Sequence, residues 1–168
     1  MQNQLRALMK SIEHAPDGLH AMDDAALRFA ALAGLGSKYL AVGTPMTLGL
    51  IACEAEDEAL VACHELLFGP LEVLRSSEMS NEEAMAADIV CLPTTAVFEL
   101  DWIAEATHLN IRSCGPWSAG MNELASCTAL TYLNAAAAAD GVSHGLLSEV
   151  IRGSVSGRMG EEITALVA

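Results

Sequence analysis

The stretch that most constrains the fold of this chain is residues 39–77, where two short apolar runs flank a helical pattern. The first run, residues 48–51, leads at once into the helical segment, and the second run, residues 71–74, follows Gly69 and Pro70. Two parallel strands need a crossover connection, and a helix of this length supplies one. The stretch therefore predicts a right-handed βαβ unit at the centre of a three-layer α/β domain with a small, mostly parallel sheet.

The turn between the first predicted strand and its helix reads ACEAED over residues 52–57. A dinucleotide-binding βαβ unit has G-x-G-x-x-G here, because the pyrophosphate must approach bare backbone at the helix N-terminus. This turn contains no glycine, and the side chain and charge of Glu54, at the second glycine position, would oppose a pyrophosphate. We therefore expect no cofactor, and NAD or NADP is the alternative.

Residues that follow the predicted strands define a candidate crevice, since parallel strands end at one edge of a sheet. Strands are predicted over residues 48–51, 71–74, 89–92 and 109–111. Arg75 is a residue type that favours the 2′-phosphate of NADP, although an ordinary surface charge explains it equally well. The candidate cofactor-binding positions of this degenerate nucleotide crevice are Ala52, Cys53, Glu54, Arg75, Ser76, Thr94, Thr95 and Asn110.

Composition excludes several function classes. A net charge of -14 with only 8 Lys+Arg lacks the basic footprint that nucleic acid or anionic lipid requires. The apolar run over residues 125–139 is too short and too mixed to span a bilayer, and the N-terminal segment lacks a signal peptide's apolar centre. We expect a cytoplasmic protein of 168 residues with one main core.

The side chains that most often carry chemistry form no recognisable constellation. The five cysteines include no C-x-x-C pair, which favours reduced, buried and inert thiols. The five histidines are scattered without metal-ligand spacing, so no metal site is predicted. The acidic residues 54–58 favour a capped helix start on a solvated surface over an acidic active site.

The remaining pattern divides the chain into an N-terminal helix and turn, residues 1–22, and a Rossmann-like domain, residues 23–168. Further helices are predicted over residues 23–35 and 54–68, with a short helix capped by Ser80 and Glu83. An alanine-rich helix is predicted over residues 122–139, a helix over residues 146–151, and a last helix start at residues 161–163. Residues 97–106 are predicted as a turn or helix around Trp102.

Five segments taken together resemble the ornithine cyclodeaminase and mu-crystallin family. They are DAALRFAALAGLGSKYLA from residue 24, LGLIACEAEDEAL from residue 48, NEEAMAADIVCLPTTA from residue 81, THLN from residue 107 and HGLLSEVIRGSVSGRMGEEIT from residue 144. Their order and spacing are similar to those of the family's Rossmann portion. The resemblance implies a fold that ordinarily binds NAD(P).

The departures from this family concern its chemistry. The family's catalytic and dimerising domain has no counterpart beyond residues 1–23, and the loop between residues 111 and 122 lacks the acidic residue that the family uses in catalysis. No catalytic residue is therefore assigned. Between residues 75 and 81 the chain also lacks room for one helix and strand of the family, which predicts a sheet one strand smaller.

Two functions remain open. We predict a non-catalytic or auxiliary Rossmann-like protein that acts as an assembly or regulatory subunit. The alternative is an NAD(P)-dependent oxidoreductase or cyclodeaminase-like subunit whose active site needs a partner chain. In either case we expect a homo-oligomer or a partner protein, without nucleic acid or membrane, and Leu130 and Leu133 of the alanine-rich helix are the predicted seam.

Overall fold

The computed structural model describes residues 1–14, 24–128, 130–132, 143–157, 160 and 162–168. The helices are α1 (Gln2–His14), α2 (Ala25–Leu40), α3 (Asp57–Phe68), α4 (Asn81–Met85), α5 (Ala119–Cys127) and α6 (Leu147–Ile151), with a 3₁₀ turn at Leu100–Trp102. The strands are β1 (Thr47–Leu50), β2 (Glu72–Arg75), β3 (Ile89–Pro93), β4 (His108–Arg112), β5 (Leu130–Tyr132), β6 (Ser143–Leu146) and β7 (Thr164–Val167).

The strands form one seven-stranded sheet in the order β2-β1-β3-β4-β7-β5-β6. Every pairing between neighbours is parallel. The prediction of a parallel α/β fold with four central strands is confirmed, and the sheet is larger than expected because β5, β6 and β7 extend it. The chain leaves β1 toward β2 on one side and toward β3 on the other, so the strand order reverses between β1 and β3.

Alternation along the buried strands produces three layers. Ile89 and Cys91 of β3 join the core that contains α1, α2, α3 and α6. Val90 and Leu92 join the core on the opposite face, with α4, α5 and the 3₁₀ turn. Both faces of the sheet are therefore covered, as an all-parallel sheet requires.

Helix α2 is longer than predicted, because its glycines provide room instead of ending the helix. Asp24 caps the helix by accepting bonds from the amides of Ala26 and Leu27. A Cβ at Gly34 would lie 2.4 Å from Cys63 Sγ, and a Cβ at Gly36 would lie 2.7 Å from Asn110 Oδ1. The glycines thus let α2 lie close to α3 and to the sheet, and the helix continues to Leu40.

The C-terminal third differs most from the sequence prediction. The predicted alanine-rich helix ends at Cys127, and Leu130 lies in strand β5 with its side chain fully buried. Leu130 is therefore a core residue and not an interface residue, while Leu133 and the rest of residues 133–142 lie outside the described residues. Residues 164–167, where a helix was expected, form β7 between β4 and β5.

Other sequence predictions have mixed outcomes. The capping box of Ser80 and Glu83 is confirmed at the start of α4. The proposed boundary between residues 22 and 23 lies outside the described residues. Across the part of the chain that is described, no helix has the length and apolar character needed to cross a membrane.

A chain of buried polar side chains connects α3, α2 and the sheet. His64 Nδ1 lies 2.8 Å from the Leu60 carbonyl, so it donates there and leaves Nε2 to accept from the Ser37 hydroxyl at 2.9 Å. Asn110 donates to Ser37 Oγ at 2.8 Å, and its own oxygen lies 3.1 Å from His108 Nε2. His108 Nδ1 is 2.9 Å from the Thr164 hydroxyl, which donates to the Leu40 carbonyl. A neutral imidazole at His64 satisfies both of its contacts.

This geometry predicts a pH-dependent stability. Burial lowers the pKa of His64 to about 4, below the value of about 6.5 for an unfolded chain. Below pH 6.5 the imidazole of His64 binds a proton in the unfolded state and stays neutral in the folded state. The free energy of unfolding therefore falls as the pH drops. We expect His64 to account for a loss of about 1 kcal/mol between pH 7.0 and 5.5, measured by urea unfolding.

The matched variants are His64→Gln and His14→Gln. His14 is exposed at the end of α1 and lies outside the buried polar chain, so His14→Gln is the control for loss of a histidine elsewhere on the protein. His64→Gln lowers stability at pH 7 but should flatten the dependence between pH 7.0 and 5.5. Equal slopes for His64→Gln and the parent would contradict the assignment of this loss to His64.

Candidate functional site

The candidate crevice lies at the carboxyl edge of the sheet, where β1 and β3 diverge. Ala52 begins the turn with φ of 49°, the left-handed conformation that a glycine would adopt more easily. The Ala52 amide donates to Ser76 Oγ at 3.2 Å, which joins the turn to the end of β2. Cys53 is buried and Glu54 is exposed. The turn therefore keeps a glycine-type backbone without its glycines.

Two ion pairs occupy the start of α3. Glu56, at the N-cap position, is buried and pairs with Arg112 from the end of β4. Asp57, the first residue of the helix, receives two bonds from Arg75, at 2.7 and 2.9 Å. The expectation of a solvated acidic surface is thus corrected for these two carboxylates, since both are held by arginines.

The cavity beside the ion pair of Asp57 and Arg75 is small. The cavity lined by Leu50, Cys53, Glu54, Asp57, Arg75, Ser76 and Ser77 has a volume of about 10 Å³. That is room for about one water molecule. Beside it, Glu56 Oε2 and Arg112 Nε are buried and have no hydrogen-bond partner among the described residues, so these residues do not fully satisfy the pair.

Three further candidate residues are Thr94, Thr95 and Asn110, and they do not all lie at the carboxyl edge of the sheet. Thr94 is fully buried and its hydroxyl joins two loops, donating to the Cys114 carbonyl at 2.5 Å and accepting from the Cys114 amide at 3.1 Å. Thr95 is exposed beside it. Asn110 lies inside β4, which continues to Arg112, so its side chain is in the core polar chain and does not reach the strand end.

Three of the five thiols are buried and two are accessible. Burial raises the pKa of Cys53 and of Cys63 to about 12, and raises the pKa of Cys91 well above its ordinary value. Cys114 is half-buried and Cys127 is exposed, so the expectation of mostly buried thiols holds for Cys53, Cys63 and Cys91. Throughout the described residues, no three His, Cys, Asp or Glu side chains are close enough to hold a metal ion.

Sequence reasoning missed Arg112 and underestimated Glu56. Both signals were present, since Arg112 directly follows the apolar residues of the fourth predicted strand and Glu56 is part of the turn. Strands β1 and β4 are not adjacent, however, because β3 lies between them. Only the three-dimensional placement of the strand ends brings these two side chains together.

Solved structures show what this fold is similar to. An archaeal alanine dehydrogenase dimer with bound NAD matches with a TM-score of 0.68 at 20% identity, over 84% of this chain and 57% of that one. The iminosuccinate reductase of Paracoccus denitrificans in complex with NAD+ matches with a TM-score of 0.66 at 17% identity, over 84% and 56%. A probable ornithine cyclodeaminase from Bordetella pertussis Tohama I gives 0.66 at 15%, over 84% and 59%.

No protein-family model matches the sequence, and no curated protein matches it significantly. The chain spans a little over half the length of the structures it resembles. At these identities the similarity shows the fold alone, a Rossmann-like α/β fold with a parallel sheet.

The thiol environments predict selective alkylation. At pH 7.5 iodoacetamide should modify Cys127 and Cys114, while Cys53, Cys63 and Cys91 stay unmodified because they are buried and protonated. Mass spectrometry of the native protein should show two labels, and unfolding in guanidinium should raise the number to five. Fast labelling of Cys53 in the native protein would contradict the closed geometry of the turn.

Proposed function

We propose that this chain is an auxiliary Rossmann-like subunit that does not bind a dinucleotide in its own crevice. The observation that carries the proposal is the closed turn, where Glu56 and Asp57 are held by Arg112 and Arg75. A pyrophosphate would have to approach the backbone at the start of α3, where these two ion pairs lie, and it would need space that the cavity of about 10 Å³ does not offer.

Electrostatics gives the size of the effect. At a separation of about 5 Å and an effective dielectric of about 20, one like-charge contact costs about 3 kcal/mol. Glu54 presents such a charge at the second glycine position, and Glu58 adds another in the first turn of α3, whereas Asp57 is already paired with Arg75. A cost of this size weakens binding about 160-fold, which raises a dissociation constant of about 1 μM to about 0.2 mM. The helix dipole, about half a charge, does not offset it.

A second candidate is an NAD(P)-dependent oxidoreductase or cyclodeaminase-like subunit completed by a partner chain. The similarity to NAD-bound structures favours it, and so does the left-handed backbone at Ala52, which preserves the turn. It requires that the two ion pairs open when cofactor binds. The two candidates therefore differ in one measurable property, the affinity for dinucleotide.

The deciding experiment is a calorimetric titration of the chain with NAD and with NADP. We expect no dissociation constant below about 100 μM for either, because the crevice is filled and acidic. Replacement of both Ala52 and Glu54 by glycine removes the side chain and charge that oppose the pyrophosphate. This double variant should bind at least tenfold more tightly than the parent.

Two controls separate charge from space. Glu54→Gln removes the charge and keeps the side chain, while Glu72→Gln removes an exposed charge at the opposite end of β2. Glu54→Gln should give part of the gain in dinucleotide affinity, and Glu72→Gln should give none. Binding by the unmodified chain below 100 μM would support the enzyme candidate and exclude the auxiliary one.

We further propose that the chain works in an assembly, as a homo-oligomer or with a partner protein. Support comes from the composition, since 52% of the residues are hydrophobic although the chain carries a net charge of -14. Light scattering at micromolar concentration, with affinity purification from the native source, tests the proposal. We expect a mass above that of one 17.6 kDa chain, or a recovered partner. A single-chain mass without a partner would contradict it.

A further inference from the structure

A larger cavity lies away from the crevice, between α1, α2 and α3. Its volume is about 350 Å³, a size typical of small-molecule sites. It is lined by Arg6, Met9, Lys10, Glu13, His14, Leu35, Lys38, Leu66 and Leu67, and we call it the α1 pocket. Gly34 allows the helices around it to lie close together, since a Cβ there would lie 3.3 Å from Leu67 and 3.4 Å from Met9.

The α1 pocket has an apolar interior. Met9 and Leu35 are buried, and Leu66 and Leu67 of α3 are half-buried. These four side chains belong to the main core or pack against it, so the pocket wall is fixed by the same contacts that hold the helices. An apolar group entering the pocket would be removed from water at little cost in rearrangement.

The rim of the pocket is cationic in a strongly acidic chain. Lys38 is engaged by Glu13 at 2.5 Å, and the Tyr39 hydroxyl also donates to Glu13 at 3.1 Å. Arg6 and Lys10 are four residues apart on one face of α1, and neither has an ion pair with any of the residues that the structure describes. Two positive charges therefore remain at the mouth of this pocket, although the whole chain carries -14.

We propose that the α1 pocket binds a small amphipathic carboxylate, an apolar chain with one anionic head group. The chain lies on Met9, Leu35, Leu66 and Leu67, and the head group lies between Arg6 and Lys10 at the rim. The proposed ligand is a carboxylate free in solution and not a lipid in a bilayer, because the net charge of -14 opposes an anionic membrane. The site does not share a residue with the crevice, so its test and the dinucleotide titration succeed or fail separately.

The probes are octanoate, octan-1-ol and acetate, followed by calorimetry and by the NMR signal of the Met9 methyl group. Octanoate should bind with a dissociation constant below about 1 mM, because it combines apolar burial with the charge contact. Octan-1-ol keeps the chain and loses the charge, so it should bind about tenfold more weakly. Acetate keeps the charge and loses the chain, and should not bind measurably. Only octanoate and octan-1-ol should shift the Met9 signal.

Variants identify the rim. The Arg6→Gln, Lys10→Gln double variant should weaken octanoate binding about tenfold and leave octan-1-ol binding unchanged. Arg28→Gln removes a cation from α2 that does not line the pocket, so it should match the parent. The charge-preserving Arg6→Lys variant should retain binding, and thermal unfolding confirms that each variant is folded.

Three results would overturn the proposal. They are an unshifted Met9 signal at 10 mM octanoate, equal affinity for octanoate and octan-1-ol, and equal loss of affinity in the double variant and in Arg28→Gln. The first would exclude the pocket as the site. The second and third would show that the ligand is not recognised as an anion.

Discussion

The buried polar chain from His64 to Thr164 determines where the helical layer lies on the sheet. A polar side chain in a core is costly unless each of its atoms finds a partner, so a chain of such contacts tolerates little displacement. Ser37 holds the central place, since its hydroxyl contacts both His64 of α3 and Asn110 of β4. Gly36 allows this contact, because a side chain there would meet Asn110 and Leu166. The position of α2, and of α1 and α3 packed on it, follows from this one hydroxyl.

The crevice shows the opposite arrangement, a polar cluster that is only partly satisfied. Glu56 and Arg112 form a buried ion pair, yet one carboxylate oxygen and one guanidinium nitrogen find no partner in the part of the chain that the structure describes. A buried pair of this kind contributes little net stability, while the removal of one member leaves an uncompensated charge. Its value is positional, because it joins the start of α3 to the end of β4 across β3. The same contact keeps the turn in place at the carboxyl edge of the sheet.

The central strands were predictable because their signal is local. Turn residues bound the apolar runs of β1 to β4. Each run by itself indicates a strand buried on both faces, so no knowledge of distant residues was needed. The strand β7 was missed because a four-residue apolar segment has the same composition in a helix or a strand, and only pairing with β4 and β5 decides between them. For a similar reason, the sequence did not indicate that the Asn110 side chain lies in the core polar chain. Its position near a strand end was visible, but its partner Ser37 is 73 residues away.

The distribution of positive charge connects the two sites. The chain has only 8 Lys+Arg. The position of each cationic side chain therefore determines which anionic groups can be neutralised. Arg75 and Arg112 face carboxylates of the chain itself, which makes the crevice electrostatically self-contained. Helix α3 begins at that crevice with Asp57 and ends beside the α1 pocket with Leu66 and Leu67. There Arg6 and Lys10 have no ion pair with any carboxylate among the described residues, and this difference from the crevice is why we propose that an anion binds at this mouth.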